Sequence, residues 1–307
     1  MSTHQTAKTQ FAAHPNGTTF AYRRLGTSSG TPLLVLTHFR GVMDKFDPLV
    51  LNGLAARRAV ITVDYAGVGQ STGGRVATSV AESADDIILF LGLIGLSEVD
   101  ILGFSLGGMV AQLVALNADP AKLKVRKLIL GGTAPSAGAG VQGSPNAENV
   151  GRIAGSAEVT LEGFKTLFFP KTREGDAAAE QWWVRIHERS EKTSGEKPAG
   201  WLSQGYADGA VGLKAHVSQL SGWATPDQSV GREGSFERLK GLGIPVFVAN
   251  GHADRRQDDY MVPTVNSFVL QQQVPNGQLV VYPGSGHGFL FQFADLFVQH
   301  ALLFLEA

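Results

Sequence analysis

The sequence predicts an α/β fold: a mostly parallel central sheet flanked by helices, with a helical segment inserted late in the chain. Short apolar runs alternate with stretches of helical periodicity, a rhythm typical of parallel strands joined by helices. The apolar runs lack in-and-out alternation, which indicates strands buried on both faces of the sheet. The rhythm stops between Gly132 and about Gly234, where aromatic-rich helical pieces contain all four tryptophans. We therefore predict a core of residues 1–132 and 235–307 and a helical cap of residues 133–234.

Each predicted element has a local signal. Asn16-Gly17 lies between two short stretches of strand character, and Asn-Gly is the strongest short signal for a hairpin. Carboxylates near the start of residues 80–93 favour a helix there, because the helix dipole stabilises negative charge at its N-terminus. Pro120 ends the next predicted helix, 106–117. The other predictions are strands at 32–37, 59–64, 99–102, 125–130, 245–248 and 278–282, and a last helix from about 289 to 305.

The composition excludes several classes of protein. The 307 residues carry 26 basic and 27 acidic side chains, too balanced for the clustered Lys and Arg of a nucleic-acid surface. No cysteine is present, which excludes thiol nucleophiles, iron–sulfur clusters and disulfides. No apolar run reaches the ~18 residues of a membrane span, and the N-terminal segment lacks the apolar core of a signal peptide. We expect a cytoplasmic protein without nucleic-acid, membrane or cofactor partners; monomer and homodimer both remain open.

Three serines lie in a G-x-S-x-G pattern, and their context separates them. Ser28 stands in a loop between two strands, and Ser71 in a long glycine-rich loop after a strand. Ser105 directly joins the strand VDIL to the helix MVAQLVALNA, with Gly103 and Gly107 where strand and helix backbones must pass closely. A tight strand-to-helix turn exposes a serine hydroxyl beside a helix N-terminus, as a nucleophile requires. We therefore predict Ser105 as the nucleophile.

Four motifs in sequence order carry a family resemblance: DYAGVGQS, GFSLGG, VANGHAD and PGSGHGF. With them, the chain resembles the α/β-hydrolase family over nearly its whole length. The resemblance implies the α/β-hydrolase fold and a Ser-His-Asp triad, with no metal.

His287 is the predicted base, because it follows the strand LVVYP between two glycines and so lies at the sheet edge that holds Ser105. His252 is its competitor. The resemblance places the triad acid at Asp254, three residues after Gly251. The insertion RRQDDY follows Asp254, however, and leaves Asp259 as an alternative acid.

Acyl transfer also needs backbone donors for the oxyanion. The N–H of Leu106, just after the nucleophile, is one predicted donor. The other comes from the loop after the third strand, His38-Phe39-Arg40-Gly41, where either Phe39 or Arg40 supplies the N–H. His38 is expected to brace this loop.

The predicted substrate is a hydrophobic small molecule, and the residues predicted to bind it are Phe104, Trp182 and Trp183. The leading hypothesis is a serine hydrolase of carboxylic esters or lactones. The alternatives are a small-molecule receptor with a vestigial triad, and a C–C bond hydrolase or perhydrolase on the same fold. A metal site from His252, Asp254 and His287 is disfavoured, because these residues have better roles and no H-E-x-x-H helix exists.

Overall fold

The computed structural model describes residues 2–26, 30–202, 210–253 and 257–307. Within them, nine strands form one sheet in the order β1-β2-β4-β3-β5-β6-β7, and β7 continues to both β8 and β9. Strands β3 to β7 and β9 pair in parallel, whereas β1, β2 and β8 pair antiparallel with their neighbours. The strands are β1 Gln10–Ala13, β2 Thr19–Leu25, β3 Leu33–Leu36, β4 Val60–Val63, β5 Glu98–Phe104, β6 Lys124–Gly131, β7 Val246–Ala253, β8 Gln257–Asp258 and β9 Gly277–Pro283.

Eleven α-helices lie in the described part of the chain. They are α1 Pro48–Ala55, α2 Val80–Leu93, α3 Leu106–Asn117, α4 Ala147–Ala154, α5 Leu161–Phe168, α6 Arg173–Arg185, α7 Glu191–Ser194, α8 Ala210–Ala224, α9 Val265–Gln273, α10 Phe289–Gln292 and α11 Ala294–Glu306. Helices α2 and α3 have the predicted bounds, while α1 was not predicted. Helix α1 begins at Pro48 after Asp47, whose carboxylate accepts the N–H of Leu49 and so caps the helix. None of the described helices is long and apolar enough to cross a membrane.

Each face of the sheet has its own hydrophobic core, so the predicted α/β fold is confirmed. Strand β3 shows the division: Leu34 and Leu36 pack with α2 and α3, whereas Leu33 and Val35 pack with α1 and α11. All four side chains are fully buried. This arrangement explains why the strands read as continuous apolar runs rather than as alternating ones.

The region between β6 and β7 is helical, as the sequence indicates. Helices α4 to α8 lie here, and the described part of residues 132–245 contains no strand. We call residues 133–234 the insertion. Its division from the rest of the chain as a separate cap domain stays a prediction.

Candidate active site

Ser105 occupies the sharp turn between β5 and α3. Its backbone has φ 57° and ψ −120°, a conformation that non-glycine residues rarely adopt. The turn is fixed to the neighbouring strand, because the Ser105 N–H donates to the Gly131 carbonyl at 2.9 Å. The side chain opens into a cleft at the carboxyl edge of the sheet. Such strain is retained where the surrounding structure over-determines it, which is typical of functional sites.

The glycines around Ser105 explain the motif. A Cβ atom at Gly103 would lie 2.3 Å from the Gly107 carbonyl oxygen, and one at Gly107 would lie 2.3 Å from the Leu36 carbonyl oxygen. Both contacts are with backbone, which cannot move aside as a flexible side chain can. Strand β5, helix α3 and strand β3 therefore pass at this distance only because glycine occupies both positions.

His287 and Asp259 form a buried hydrogen-bonded pair. The Nδ1 atom of His287 donates to Oδ2 of Asp259 at 2.7 Å, and both side chains are fully shielded from solvent. The other oxygen of Asp259 accepts the backbone N–H groups of Met261 at 2.9 Å and Val262 at 3.0 Å. These bonds fix the carboxylate and make Nδ1 of His287 the protonated nitrogen, which leaves Nε2 to act as a base.

The orienting carboxylate is thus the alternative that the sequence left open. Asp254 lies outside the described residues, and the Nδ1 contact expected of it is made by Asp259. The reason is the extra hairpin at the end of β7, where His252 pairs with Asp258 of β8. This hairpin carries the chain beyond the usual position of the acid before Asp259 reaches His287. His252, the competing base, is exposed on β7.

The imidazole of His287 lies against the residues that flank Ser105. Its centroid is 4.9 Å from the ring of Phe104, which precedes the serine, and 5.1 Å from the ring of Phe168 on α5. The Nε2 atom is buried and makes no hydrogen bond to the described residues. Catalytic hydrogen bonds often tighten only when substrate is bound, so this geometry is compatible with proton transfer from Ser105.

The other serines have different positions. The Ser71 hydroxyl donates to the Asp64 carbonyl at 2.7 Å and accepts the Ala21 N–H at 2.9 Å, so it holds a loop against β2. Ser28 lies outside the described residues. Among those residues, no group of three His, Asp or Glu side chains is arranged to hold a metal.

The two predicted oxyanion donors come from the start of α3 and from the turn after β3. The N–H groups of Leu106 and Phe39 make no hydrogen bond within the described residues. The Arg40 N–H donates to Nδ1 of His216 at 3.4 Å, a long contact. Both Phe39 and Arg40 line the cleft with Ser105, so either can still be the second donor.

Arg40 also binds the insertion through its side chain. Its φ is 61°, and its Nη1 donates to the carbonyls of Ala154 at 2.6 Å and Ser156 at 2.7 Å, at the end of α4. Its carbonyl accepts the N–H of Leu202 at 3.3 Å. The oxyanion turn and the insertion are therefore directly connected.

The cleft over Ser105 has mostly apolar walls, which come largely from the insertion. These walls include Ile153, Phe164, Leu167, Phe168 and Trp201. The three predicted binding residues are not on them. Phe104 and Trp182 are fully buried, and Trp182 packs between Phe164 and Phe291 with centroids at 4.8 and 5.3 Å.

Trp201 takes the place predicted for Trp182 and Trp183. It lines the cleft, and Trp183 stacks on it with centroids 6.4 Å apart. Helix α5 lies between α6 and the cleft, which is why the α6 tryptophans contact Phe164 rather than the pocket. The spacing of Phe164, Leu167 and Phe168 on one helical face is the sequence signal that could have found this wall.

Comparison with known proteins shows the family of the chain. A family model described as alpha/beta hydrolase fold matches residues 31–294, well over half of the chain, so the chain belongs to the α/β-hydrolase family. The resemblance seen in the motifs is confirmed, and the class of the protein is a hydrolase of the α/β fold.

Three relatives are similar to this chain. An alpha/beta hydrolase fold protein from Chitinophaga pinensis is 31% identical, with all of both chains covered and a TM-score of 0.82. The esterase RhEst1 from Rhodococcus sp. ECU1013 is 23% identical, covering 97% of this chain and 98% of its own, with a TM-score of 0.72. A protein of Caulobacter sp. (strain K31) named "Putative carbamate hydrolase RutD" is 25% identical over 92% of this chain and 93% of its own.

Proposed function

We propose that the protein is a serine hydrolase that cleaves a carboxylic ester or lactone of an apolar small molecule through an acyl-enzyme. The observation that carries this proposal is the strained turn of Ser105 beside the buried His287–Asp259 pair. A serine hydroxyl is a weak nucleophile, and a neighbouring base held by a carboxylate activates it. A binding protein has no need of this arrangement.

The reaction proceeds in two halves. Ser105 Oγ attacks the substrate carbonyl while Nε2 of His287 takes its proton, and Asp259 stabilises the imidazolium that forms. The N–H of Leu106 and one N–H from the Phe39–Arg40 turn bind the oxyanion. His287 then protonates the departing alcohol. Water, deprotonated by His287, then attacks the acyl-enzyme, and His287 returns the proton to Ser105 Oγ as the bond to the acyl carbon breaks and the acid leaves.

The walls of the cleft favour an apolar substrate. Burial of apolar surface contributes roughly 25 cal/mol per Å² removed from water, and Phe164, Phe168 and Trp201 present aromatic area. A bulky apolar ester should therefore bind better than an acetate. Carbamates are a second candidate class, because a relative over most of this chain is named as a carbamate hydrolase and the same acyl chemistry would cleave them.

The test is turnover of aryl esters, macrocyclic lactones and an aryl carbamate, with Ser105→Ala as the matched variant. We expect the wild-type protein to hydrolyse at least the aryl esters, and Ser105→Ala to lower kcat by at least ~10⁴ at an unchanged melting temperature. A fluorophosphonate should label Ser105. Labelling at another serine, or tight binding of an apolar ligand without turnover, would overturn the proposal.

A further inference from the structure

A second histidine lies beside the triad, and its protonation is fixed by its partner. The Nδ1 atom of His38 is 2.9 Å from the carbonyl oxygen of Phe39. A carbonyl only accepts, so Nδ1 must carry the hydrogen and Nε2 must present a lone pair. That Nε2 atom receives no hydrogen bond from the described residues, and His38 lines the cleft together with Ser105.

The surroundings of His38 keep it neutral. Its ring meets the edges or faces of Phe104 at 5.6 Å, Phe168 at 5.3 Å and Phe164 at 6.3 Å. Burial among these rings, with a smaller contribution from the nearby imidazole of His287, lowers the pKa of His38 to about 4. His38 therefore stays an acceptor at neutral pH rather than becoming a cation.

His38 and His287 contact the same two rings but differ in their Nδ1 partner. Phe104 and Phe168 touch both imidazoles. The Nδ1 atom of His287 is bonded to the carboxylate of Asp259, whereas Nδ1 of His38 is bonded to an uncharged carbonyl and burial keeps this ring neutral. One imidazole is thus suited to transfer a proton, and the other to accept a hydrogen bond without taking the proton.

An acceptor in an apolar cleft discriminates between substrates. A bound ligand that covers Nε2 without offering a donor leaves it unpaired, which costs about 1–3 kcal/mol. A ligand with a hydroxyl or amide hydrogen in reach avoids this cost. Sites that hydrogen-bond a substrate group therefore reject analogues that lack it more strongly than apolar pockets reject a change in size.

We infer that His38 is a specificity-determining residue, whose Nε2 accepts a hydrogen bond from an O–H or N–H next to the scissile carbonyl. The inference rests on the proposed function. It narrows the substrate class to esters that carry a hydroxyl or amide hydrogen beside the carbonyl, or to carbamates with an N–H. The remainder of the substrate is mainly apolar, since most of the other lining is aromatic or aliphatic.

The experiment compares an aryl 2-hydroxyacetate with its methyl ether, the aryl methoxyacetate, by the ratio of their kcat/KM values. We expect a ratio of about ten or more in the wild-type protein. His38→Asn keeps a donor at the position of Nδ1 and removes the acceptor at Nε2, so the ratio should fall to about one. His38→Gln keeps an acceptor near Nε2 and loses the contact with Phe39, so most of the preference should remain.

His187→Asn is the matched control. Its Nδ1 also lies 2.6 Å from a backbone carbonyl, that of Trp183, but its side chain is exposed on the protein surface beyond α6. The ratio should stay at the wild-type value in this variant. A wild-type ratio near one, or a full preference retained in His38→Asn, would overturn the inference. If the wild-type protein instead hydrolysed neither ester through Ser105, the proposed function would be overturned, and the inference with it.

Discussion

Two turns with positive φ meet at the cleft, and they are held in different ways. Ser105 and Arg40 are the non-glycine residues with this conformation in the described part of the chain. The Ser105 turn is fixed by the sheet itself, through the Gly131 carbonyl and the close passage of Gly107 over Leu36. The sheet core therefore sets the position of the nucleophile.

The Arg40 turn is fixed by the insertion. Its side chain binds Ala154 and Ser156, its carbonyl binds Leu202, and its N–H contacts His216 on α8. The predicted second oxyanion donor therefore lies in a turn that is bound to residues 133–234. The difference teaches that the predicted nucleophile is positioned by the sheet, whereas the predicted oxyanion turn is positioned together with the walls of the cleft.

Breaking the core-held turn should have the largest effect. Gly107→Ala places a Cβ 2.3 Å from the Leu36 carbonyl oxygen, so we expect loss of activity and a melting temperature lowered by several degrees or failure to fold. Gly92→Ala, in α2 with open space around it, is the matched control. It should keep full activity and gain up to about 1 kcal/mol of stability. Thermal unfolding and ester turnover measure both. An active, stable Gly107→Ala protein would contradict this account of the turn.

Replacing Asp259, which binds His287 at the sheet edge, should have the second-largest effect on activity. Asp259→Asn should lower kcat by up to ~10⁴, because the amide favours the wrong tautomer of His287. Asp254→Asn should have a much smaller effect. Steady-state kinetics of the two purified variants decide between them, and the reverse order would assign the acid to Asp254.

The parts of the site also differ in how well they could be predicted from the sequence. Ser105 and His287 could be predicted as nucleophile and base because strand, turn and helix signals lie next to them in the chain. Asp259 could only be an alternative, since it depends on the pairing of β7 with β8, and β8 lies within the RRQDDY segment itself. The place of Trp201 in the cleft depends on how α5 lies against α6, and no local pattern in the sequence encodes that packing.

Loosening the Arg40 turn, which the insertion holds, should lower activity less than breaking the Ser105 turn, which the sheet core holds. Arg40→Ala removes two hydrogen bonds from a charged donor to the carbonyls at the end of α4. We expect kcat to fall roughly tenfold, less than the 10²–10³ lost with a whole oxyanion donor, because the backbone N–H groups remain. Arg152→Ala is the control, since Arg152 is exposed on α4 and contacts Asn149. Wild-type kcat in Arg40→Ala would show that the sheet alone holds this turn.

Substitutions of Trp201 and Trp182 distinguish substrate binding from packing within the insertion. Trp201→Leu should raise KM for bulky esters several-fold more than for a small activated ester, because Trp201 lines the cleft. Trp182→Leu should instead lower the melting temperature, because its fully buried ring leaves a cavity. KM values for esters of increasing size, together with thermal unfolding, test the pair. Equal size selectivity in both variants would refute the assignment.

Acid should destabilise the protein through His216, which contacts the Arg40 turn. Replacing this histidine should have the smallest effect on activity at neutral pH but a clear effect on stability in acid. Burial and the Arg40 charge lower the pKa of His216 to about 3, whereas an unfolded histidine titrates near 6.5. Between these values the unfolded chain binds a proton that the folded protein does not, so stability falls as pH falls below 6.5. At pH 5 this single group should cost about 2 kcal/mol of unfolding free energy relative to pH 8.

His216→Gln removes the titrating group from both states. The difference in unfolding free energy between pH 8 and pH 5, measured with urea, should therefore shrink by about 2 kcal/mol, whatever constant cost the substitution adds at both pH values. His38 at the same turn should keep part of the acid sensitivity in this variant, since its pKa is also lowered, to about 4. His4, which is buried in the N-terminal segment and whose pKa is lowered to about 4, should keep a further part. An unchanged pH dependence in His216→Gln would mean that the pKa of His216 is the same in the folded and unfolded states, so His216 would be protonated at pH 5 in the folded protein and could not then accept the Arg40 N–H on Nδ1.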